Sequence, residues 1–113
     1  MRKIIVAITG SSAPIYGIRT LQALRDHTDV ETHLVLSEGA HASIKYEAPE
    51  WSITEIEAMA DVVHDPNNMA ASISSGSFKT DGMVVVPCSM KTLAGIATSF
   101  NNDLITRAAD VCL

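Results

Sequence analysis

Cysteine is scarce in this chain of 113 residues, with Cys88 and Cys112 as the only two. Two unpatterned thiols exclude a disulfide framework and a thiolate zinc site, and they suit a reducing, cytoplasmic setting. Basic residues are also few, eight Lys plus Arg against 13 Asp plus Glu, for a formal net charge of -5. Binders of a nucleic-acid backbone usually carry a basic face, so nucleic acid is not an expected partner; a small anion held by backbone amides is compatible with this balance. The histidines His27, His33, His41 and His64 are scattered without ligand spacing, and no metal site is expected. No apolar run approaches the roughly twenty residues that a membrane helix needs. Arg2 and Lys3 precede Ile4 to Ile8, but that run is too short for a signal-peptide core and soon meets Gly10. No linker, repeat or low-complexity tract is visible. What is present is a chain 47% apolar, enough for one packed domain.

The apolar residues are arranged as alternating strands and helices. Lys3 to Thr9 is continuous rather than alternating, as expected for a parallel strand covered on both faces. Ile15, Ile18, Leu21 and Leu24 recur at helical spacing behind Pro14, which a first helical turn tolerates, and this helix should end between Asp26 and Asp29. Val30 to Leu36 is a second strand, completing a βαβ unit. Glu38 to Tyr46 reads as a helix that Pro49 ends, and Ser52-Ile53-Thr54-Glu55 has the spacing of a capping box. Val62 to His64 is a short strand, Asp65 to Asn68 a turn, Ser72 to Phe78 a polar loop without periodicity, and Gly82 to Pro87 a further strand. A helix begins near Lys91, Asn101-Asn102-Asp103 interrupts it, and the apolar segment Leu104 to Leu113 lacks a following strand to cover it. That ending predicts a fragment, with exposed apolar surface that favours association. The fold class expected is a Rossmann- or flavodoxin-like α/β domain over residues 1–113, a doubly wound parallel sheet truncated after the fourth strand region.

Two loops carry the chemistry. Thr9-Gly10-Ser11-Ser12-Ala13-Pro14-Ile15-Tyr16-Gly17 and Pro87-Cys88-Ser89-Met90-Lys91-Thr92-Leu93 each lead from a strand into a helix, the position at which open parallel sheets bind phosphorylated ligands. Small residues let backbone N–H groups close around a phosphate, while Ser11, Ser12, Ser89 and Thr92 add hydroxyl donors. Each has a plainer reading. Gly-Ser turns close many strands, Lys91 can simply face solvent, and from spacing alone Glu47 is a solvated helix-end carboxylate. Cys88 has no histidine at a useful local spacing and reads as an inert thiol.

Ile8 through Gly17, Ala71 to Phe78, Pro87 to Leu93 and Arg107-Ala108-Ala109-Asp110-Val111 together resemble the flavin prenyltransferase family of ubiquinone biosynthesis, the UbiX type. The resemblance runs through the whole chain but over only about the first three-fifths of a family member, judged against ordinary single-domain sizes. It implies a cytoplasmic, metal-free homo-oligomer that binds reduced FMN and dimethylallyl phosphate. Such an enzyme joins the dimethylallyl group to N5 and C6 of the flavin, and the prenylated FMN serves a UbiD-type decarboxylase. Carried over by motif, Gly10, Ser11 and Ser12 would hold the flavin at the first loop and Ser37 would contact it after the second strand. Ser89, Met90, Lys91 and Thr92 would take its phosphate region, and Ser12 with Glu47 would assist proton movement at N5. A catalytically silent FMN-binding or assembly module is the alternative. A cysteine decarboxylase on the same fold is not supported, since no Pro-x-Met-Asn type motif is present.

Two residues depart from the family pattern. The first loop there reads Gly-Ala-Ser-Gly, so Ala13 stands where a glycine is usual, at a cost of about 1 kcal/mol if the position needs positive φ. Glu38 stands where a basic residue commonly follows the serine of the second strand, which predicts weaker flavin binding.

Overall fold

The computed structural model describes residues 1–113. Its sheet contains β1 (Arg2–Ile8), β2 (Val30–Leu36), β3 (Val62–His64) and β4 (Gly82–Val85), all parallel, in the order β3-β2-β1-β4. Strand β1 is continuously apolar because helices cover both of its faces. Val6 and Ile8 point into one layer with Leu34 and Leu36 of β2, while Ile5 and Ala7 point into the other with Val35.

The first layer is closed by α1 (Ile15–Arg25), α2 (Glu38–Glu47) and α3 (Ile53–Glu57), through Ile18, Leu21, Ile44 and Ile56. The second is closed by α5 (Leu104–Cys112) and a single 3-10 turn at Ser72–Ser74, through Leu104, Ile105, Ala108 and Ile73. Each fully buried Ile or Leu contributes about 1.5–3 kcal/mol by leaving water. Helix α4 (Met90–Ala97) packs on α5, where a Cβ on Gly95 would come within 2.9 Å of the Thr106 methyl. The expected doubly wound, flavodoxin-like parallel sheet is thus present, with four strands.

Local chemistry sets the helix boundaries. Ser52 and Glu55 form the expected reciprocal cap on α3. Asp103, read in the sequence as part of an interruption, is the N-cap of α5 and exchanges hydrogen bonds with Thr106. Helix α1 ends at Arg25, just before the expected range.

Three expectations are corrected. The segment Leu104 to Leu113 is not an exposed apolar face: Leu104, Ile105, Ala108 and Ala109 are buried, Leu113 is its one large exposed apolar side chain, and Met90, Leu93 and Phe100 are exposed on or beside α4. The amphipathic pattern of α5 finds its cover in the 3-10 turn and the second sheet face. Ser72 to Phe78 is not merely a polar loop, because Ile73 is a core residue and Arg107 Nε donates to the Ser74 carbonyl at 3.1 Å. One buried side chain in a single turn leaves no periodicity to read. Strand β4 covers Gly82–Val85 rather than the expected Gly82 to Pro87; it lies at the sheet edge and is only partly covered, with Val84 exposed.

Two of the scattered histidines meet across β2 and β3. His33 Nδ1 lies 2.9 Å from His64 Nε2, and His33 Nε2 lies 2.7 Å from Glu31 Oε1. Burial, and then the nearby His33, lower the pKa of His64. The chain leaves β1 for β2 on one side, and β4 pairs with β1 on the other. Loops leaving the carboxyl ends of β1 and β4 therefore diverge, and a crevice opens between them.

Candidate functional site

That crevice is built from three strand-to-helix junctions. After β2, the Ser37 hydroxyl accepts from the Ala40 amide at 3.1 Å and caps α2. After β4, the Ser89 hydroxyl accepts from the Thr92 amide at 3.2 Å and donates to Thr92 Oγ1 at 2.9 Å, capping α4. The Leu93 amide donates to the Ser89 carbonyl. Helix geometry then leaves the amides of Glu38 and Gly39 in α2, and of Met90 and Lys91 in α4, without intrahelical partners. Such amides, at the positive end of a helix dipole, suit an anion.

The junction after β1 serves a different purpose. A Cβ on Gly10 would lie 2.7 Å from the Gly39 carbonyl carbon, so glycine here lets the first loop and the first turn of α2 touch backbone to backbone. Beyond it the chain turns through Ala13 at φ 62, the left-handed conformation that the family glycine would have adopted without strain. The Ala13 amide donates to Glu47 Oε1 at 3.2 Å, tying the loop to the last residue of α2. Pro14 then opens α1 with no side-chain cap.

Between the junctions lies a cavity of about 410 Å³, within the range of small-molecule clefts. Gly10, Ser37, Ser89, Lys91 and Thr92 line it, as do Glu38, Gly39, Pro66 and Asn67. Its remaining wall is Asn102, Asp103 and Thr106 at the start of α5, and no hydrophobic residue lines it. Asn67 Nδ2 donates to Glu38 Oε1 at 3.0 Å, joining the loop after β3 to the start of α2. Lys91 is the cation among the lining residues, which also include the acidic residues Glu38 and Asp103. The arrangement can hold a phosphate on amides, hydroxyls and Lys91, and can hydrogen-bond a polyol through its carboxylates and amides.

Five of the sequence-predicted residues thus come together, Gly10, Ser37, Ser89, Lys91 and Thr92. Ser11, Ser12, Met90 and Glu47 do not line the cavity, although Glu47 reaches the first loop and Met90 presents an exposed side chain at the start of α4. Cys88 is half-buried, and burial raises its pKa, which disfavours a thiolate nucleophile. Sequence reasoning passed over Gly39, Pro66, Asn67, Asn102, Asp103 and Thr106 as site residues. The turn signal at Asp65 to Asn68 directly after β3 could have found Pro66 and Asn67, because every strand's carboxyl end faces the same edge. For the start of α5 the available signal was the spacing of Asp103 and Thr106.

Comparison with known proteins agrees with this geometry. The Flavoprotein family model matches residues 1–113. Flavin prenyltransferase UbiX of Escherichia coli K12 is 56% identical over 113 residues, all of this chain and 59% of that protein. A probable UbiX-like flavin prenyltransferase of Sedimentibacter hydroxybenzoicus is 51% identical over 111 residues, 98% of this chain and 58% of that protein. The crystal structure of AnUbiX in complex with FMN and dimethylallyl pyrophosphate superposes with a TM-score of 0.93 at 55% identity, covering 97% of this chain and 57% of that one. A dodecameric FMN-dependent UbiX-like decarboxylase from Escherichia coli O157:H7 gives 0.94 at 52% identity, covering 96% and 59%. The chain therefore spans about 59% of the length of curated UbiX relatives that it matches along its whole length. With its sheet, its crevice and a family match along every residue, the chain belongs to the Flavoprotein family, and its similarity there runs to the UbiX flavin prenyltransferases.

Proposed function

We propose that this chain carries the flavin-phosphate half of a flavin prenyltransferase site. The reaction joins the dimethylallyl group of dimethylallyl phosphate to N5 and C6 of reduced FMN, for use by a UbiD-type decarboxylase. The observation that supports it most is the convergence of the capped N-termini of α2 and α4 on one polar cavity at the sheet's carboxyl edge. The residues present fit the phosphate and ribityl portion of FMN. Ser89, Lys91, Thr92 and the first amides of α4 would hold the phosphate. Gly10 and Ser37 would lie against the ribityl chain, with the Glu38 carboxylate accepting from its hydroxyls. For the isoalloxazine this cavity contributes no apolar wall, and Met90 is the exposed apolar side chain in the motif that flanks it.

Bound reduced FMN supplies the nucleophilic N5 and C6. Glu47 keeps one carboxylate oxygen on the Ala13 amide, which orients its second oxygen to hold or move a proton beside the first loop. Ser12, exposed in that loop, offers a hydroxyl donor to the departing phosphate of the dimethylallyl substrate. A homo-oligomer and a cytoplasmic location belong to the same reading. Its support is the dodecameric neighbour and the lack of any helix long and apolar enough to cross a membrane.

The test is anaerobic incubation of the chain, and of a full-length form, with reduced FMN and dimethylallyl phosphate, followed by mass spectrometry of the flavin. A prenylated FMN is expected, and Glu47→Gln should slow its formation while keeping the parent's thermal midpoint and FMN affinity. Tight FMN binding with no prenylated product in either form would favour the silent binding module. Equal rates in parent and Glu47→Gln would remove the carboxylate from the chemistry.

A further inference from the structure

The two loops at the crevice are locked together by one buried hydroxyl that lines neither the cavity nor any ligand surface. Thr9, 1% exposed at the end of β1, donates from Oγ1 to the Pro87 carbonyl at 2.6 Å. The same oxygen accepts from the Ser89 amide at 2.8 Å. The Thr9 amide donates to the Pro87 carbonyl as well, at 3.2 Å. Strand pairing between β1 and β4 stops at Ala7 with Val85, followed by two further backbone bonds, from the Val86 amide to the Ala7 carbonyl and from the Thr9 amide to the Pro87 carbonyl. Past that point the Thr9 hydroxyl takes over the fastening of the second loop.

We propose that Thr9 is the positioning residue of the anion site. Its hydroxyl sets where the N-terminus of α4 points by fixing Ser89 from the backbone side. Because Thr9 consumes the Ser89 amide, that amide is not offered to a ligand. The anchor is left to the Met90 and Lys91 amides and the side chains of Ser89, Lys91 and Thr92. Ser89 is thereby held at three atoms: its amide by Thr9, its hydroxyl by the Thr92 amide and Thr92 Oγ1, and its carbonyl by the Leu93 amide. Only a side chain that both donates and accepts can bridge the Pro87 carbonyl and the Ser89 amide, and Thr or Ser supplies that from a buried strand end. Valine matches threonine in shape but leaves the Ser89 amide unpaired and the Pro87 carbonyl with the Thr9 amide alone, in a partly buried place.

This inference rests on the flavin-phosphate reading, and its test has one arm independent of any ligand. In Thr9→Val, amide hydrogen exchange at Ser89 should speed by about tenfold or more, while Thr9→Ser keeps the parent's protection. In the same variants, FMN and riboflavin are titrated separately at a temperature well below each thermal midpoint. Thr9→Val should lose about tenfold in FMN affinity with riboflavin affinity unchanged, because only FMN uses the phosphate anchor, and Thr9→Ser should restore it. Parallel losses for FMN and riboflavin would overturn the positioning role in favour of a general loss of structure. So would parent-like Ser89 exchange in Thr9→Val, or a Thr9→Ser variant as impaired as Thr9→Val. A parent that binds FMN no tighter than riboflavin would instead refute the phosphate reading, and the hydroxyl's hold on the second loop would still stand or fall on the exchange arm.

Discussion

The loops after β1 and β4 look alike in composition, yet they meet the cavity in opposite ways. Only Gly10 of the first loop lines it, and Gly10 is there because backbone must touch backbone at Gly39. The second loop contributes Ser89, Lys91 and Thr92. What separates them is the start of the helix that follows. Ser89 caps α4 with its side chain and aims the helix dipole at the cavity, whereas α1 starts at Pro14 without a side-chain cap, after a left-handed Ala13. The proposed anion site falls on the loop whose helix is capped by a side chain, and the loop without such a cap contributes backbone contact alone.

The largest effect should come from the contact that joins the first loop to the cavity. Gly10→Ala forces a Cβ to within 2.7 to 2.9 Å of Gly39 backbone atoms, none of which belongs to a flexible side-chain tip. Overpacking of this kind costs about 1–3 kcal/mol, and here it should also displace the first turn of α2 and weaken FMN binding. Gly39→Ala places its Cβ at 3.2 Å from the Gly10 Cα and should cost less. Denaturant unfolding of both variants checks the order, and an equal or reversed order would break the argument from close approach.

A smaller effect is expected from charge on the cavity wall. Glu38→Gln keeps the shape and an acceptor for Asn67 but removes one of the two acidic residues that line the cavity. FMN affinity should rise by about threefold to tenfold at low salt, and the gain should shrink as salt screens the charge. A loss of affinity would mean that the carboxylate's bond to the ribityl hydroxyls outweighs its repulsion of the phosphate.

The smallest effect belongs to the first loop alone. Ala13→Gly relieves the positive φ and should stabilise the chain by up to about 1 kcal/mol, partly offset by the greater freedom of glycine in the unfolded chain. FMN affinity should not move in this variant, as expected if the first loop is a spacer. A change in affinity comparable to that of Glu38→Gln would give the loop a direct role.

The parallel sheet was legible because β1 carries a continuous apolar run from Ile4 to Ile8, β2 ends in one from Leu34 to Leu36, and helical periodicity flanks them; both crevice loops were legible because strand-to-helix turns carry small residues. The strain at Ala13 was legible through the family resemblance, which marked a missing glycine. Other parts were not. Ser11 and Ser12 resemble phosphate ligands in composition, and only the direction of the chain after Gly10 keeps them off the cavity wall. Asp103 and Thr106 read as an interruption because a helix cap and a loop use the same residues, and their place in the cavity depends on how α5 crosses α4. Thr9 reads as the last residue of a strand, and the role of its hydroxyl exists only because Pro87 and Ser89 lie beside it from the other end of the chain.

The most direct test sets the two loops against each other. FMN dissociation constants are measured for two double variants, Ser89→Ala with Thr92→Ala and Ser11→Ala with Ser12→Ala, after confirming that both keep the parent's circular dichroism. The first should lose about tenfold or more in affinity, since it removes the α4 cap together with both hydroxyls that the second loop gives the cavity, and the second should stay within about twofold of the parent. Unchanged binding in the first pair, or a larger loss in the second, would contradict the assignment of the phosphate anchor to the second loop.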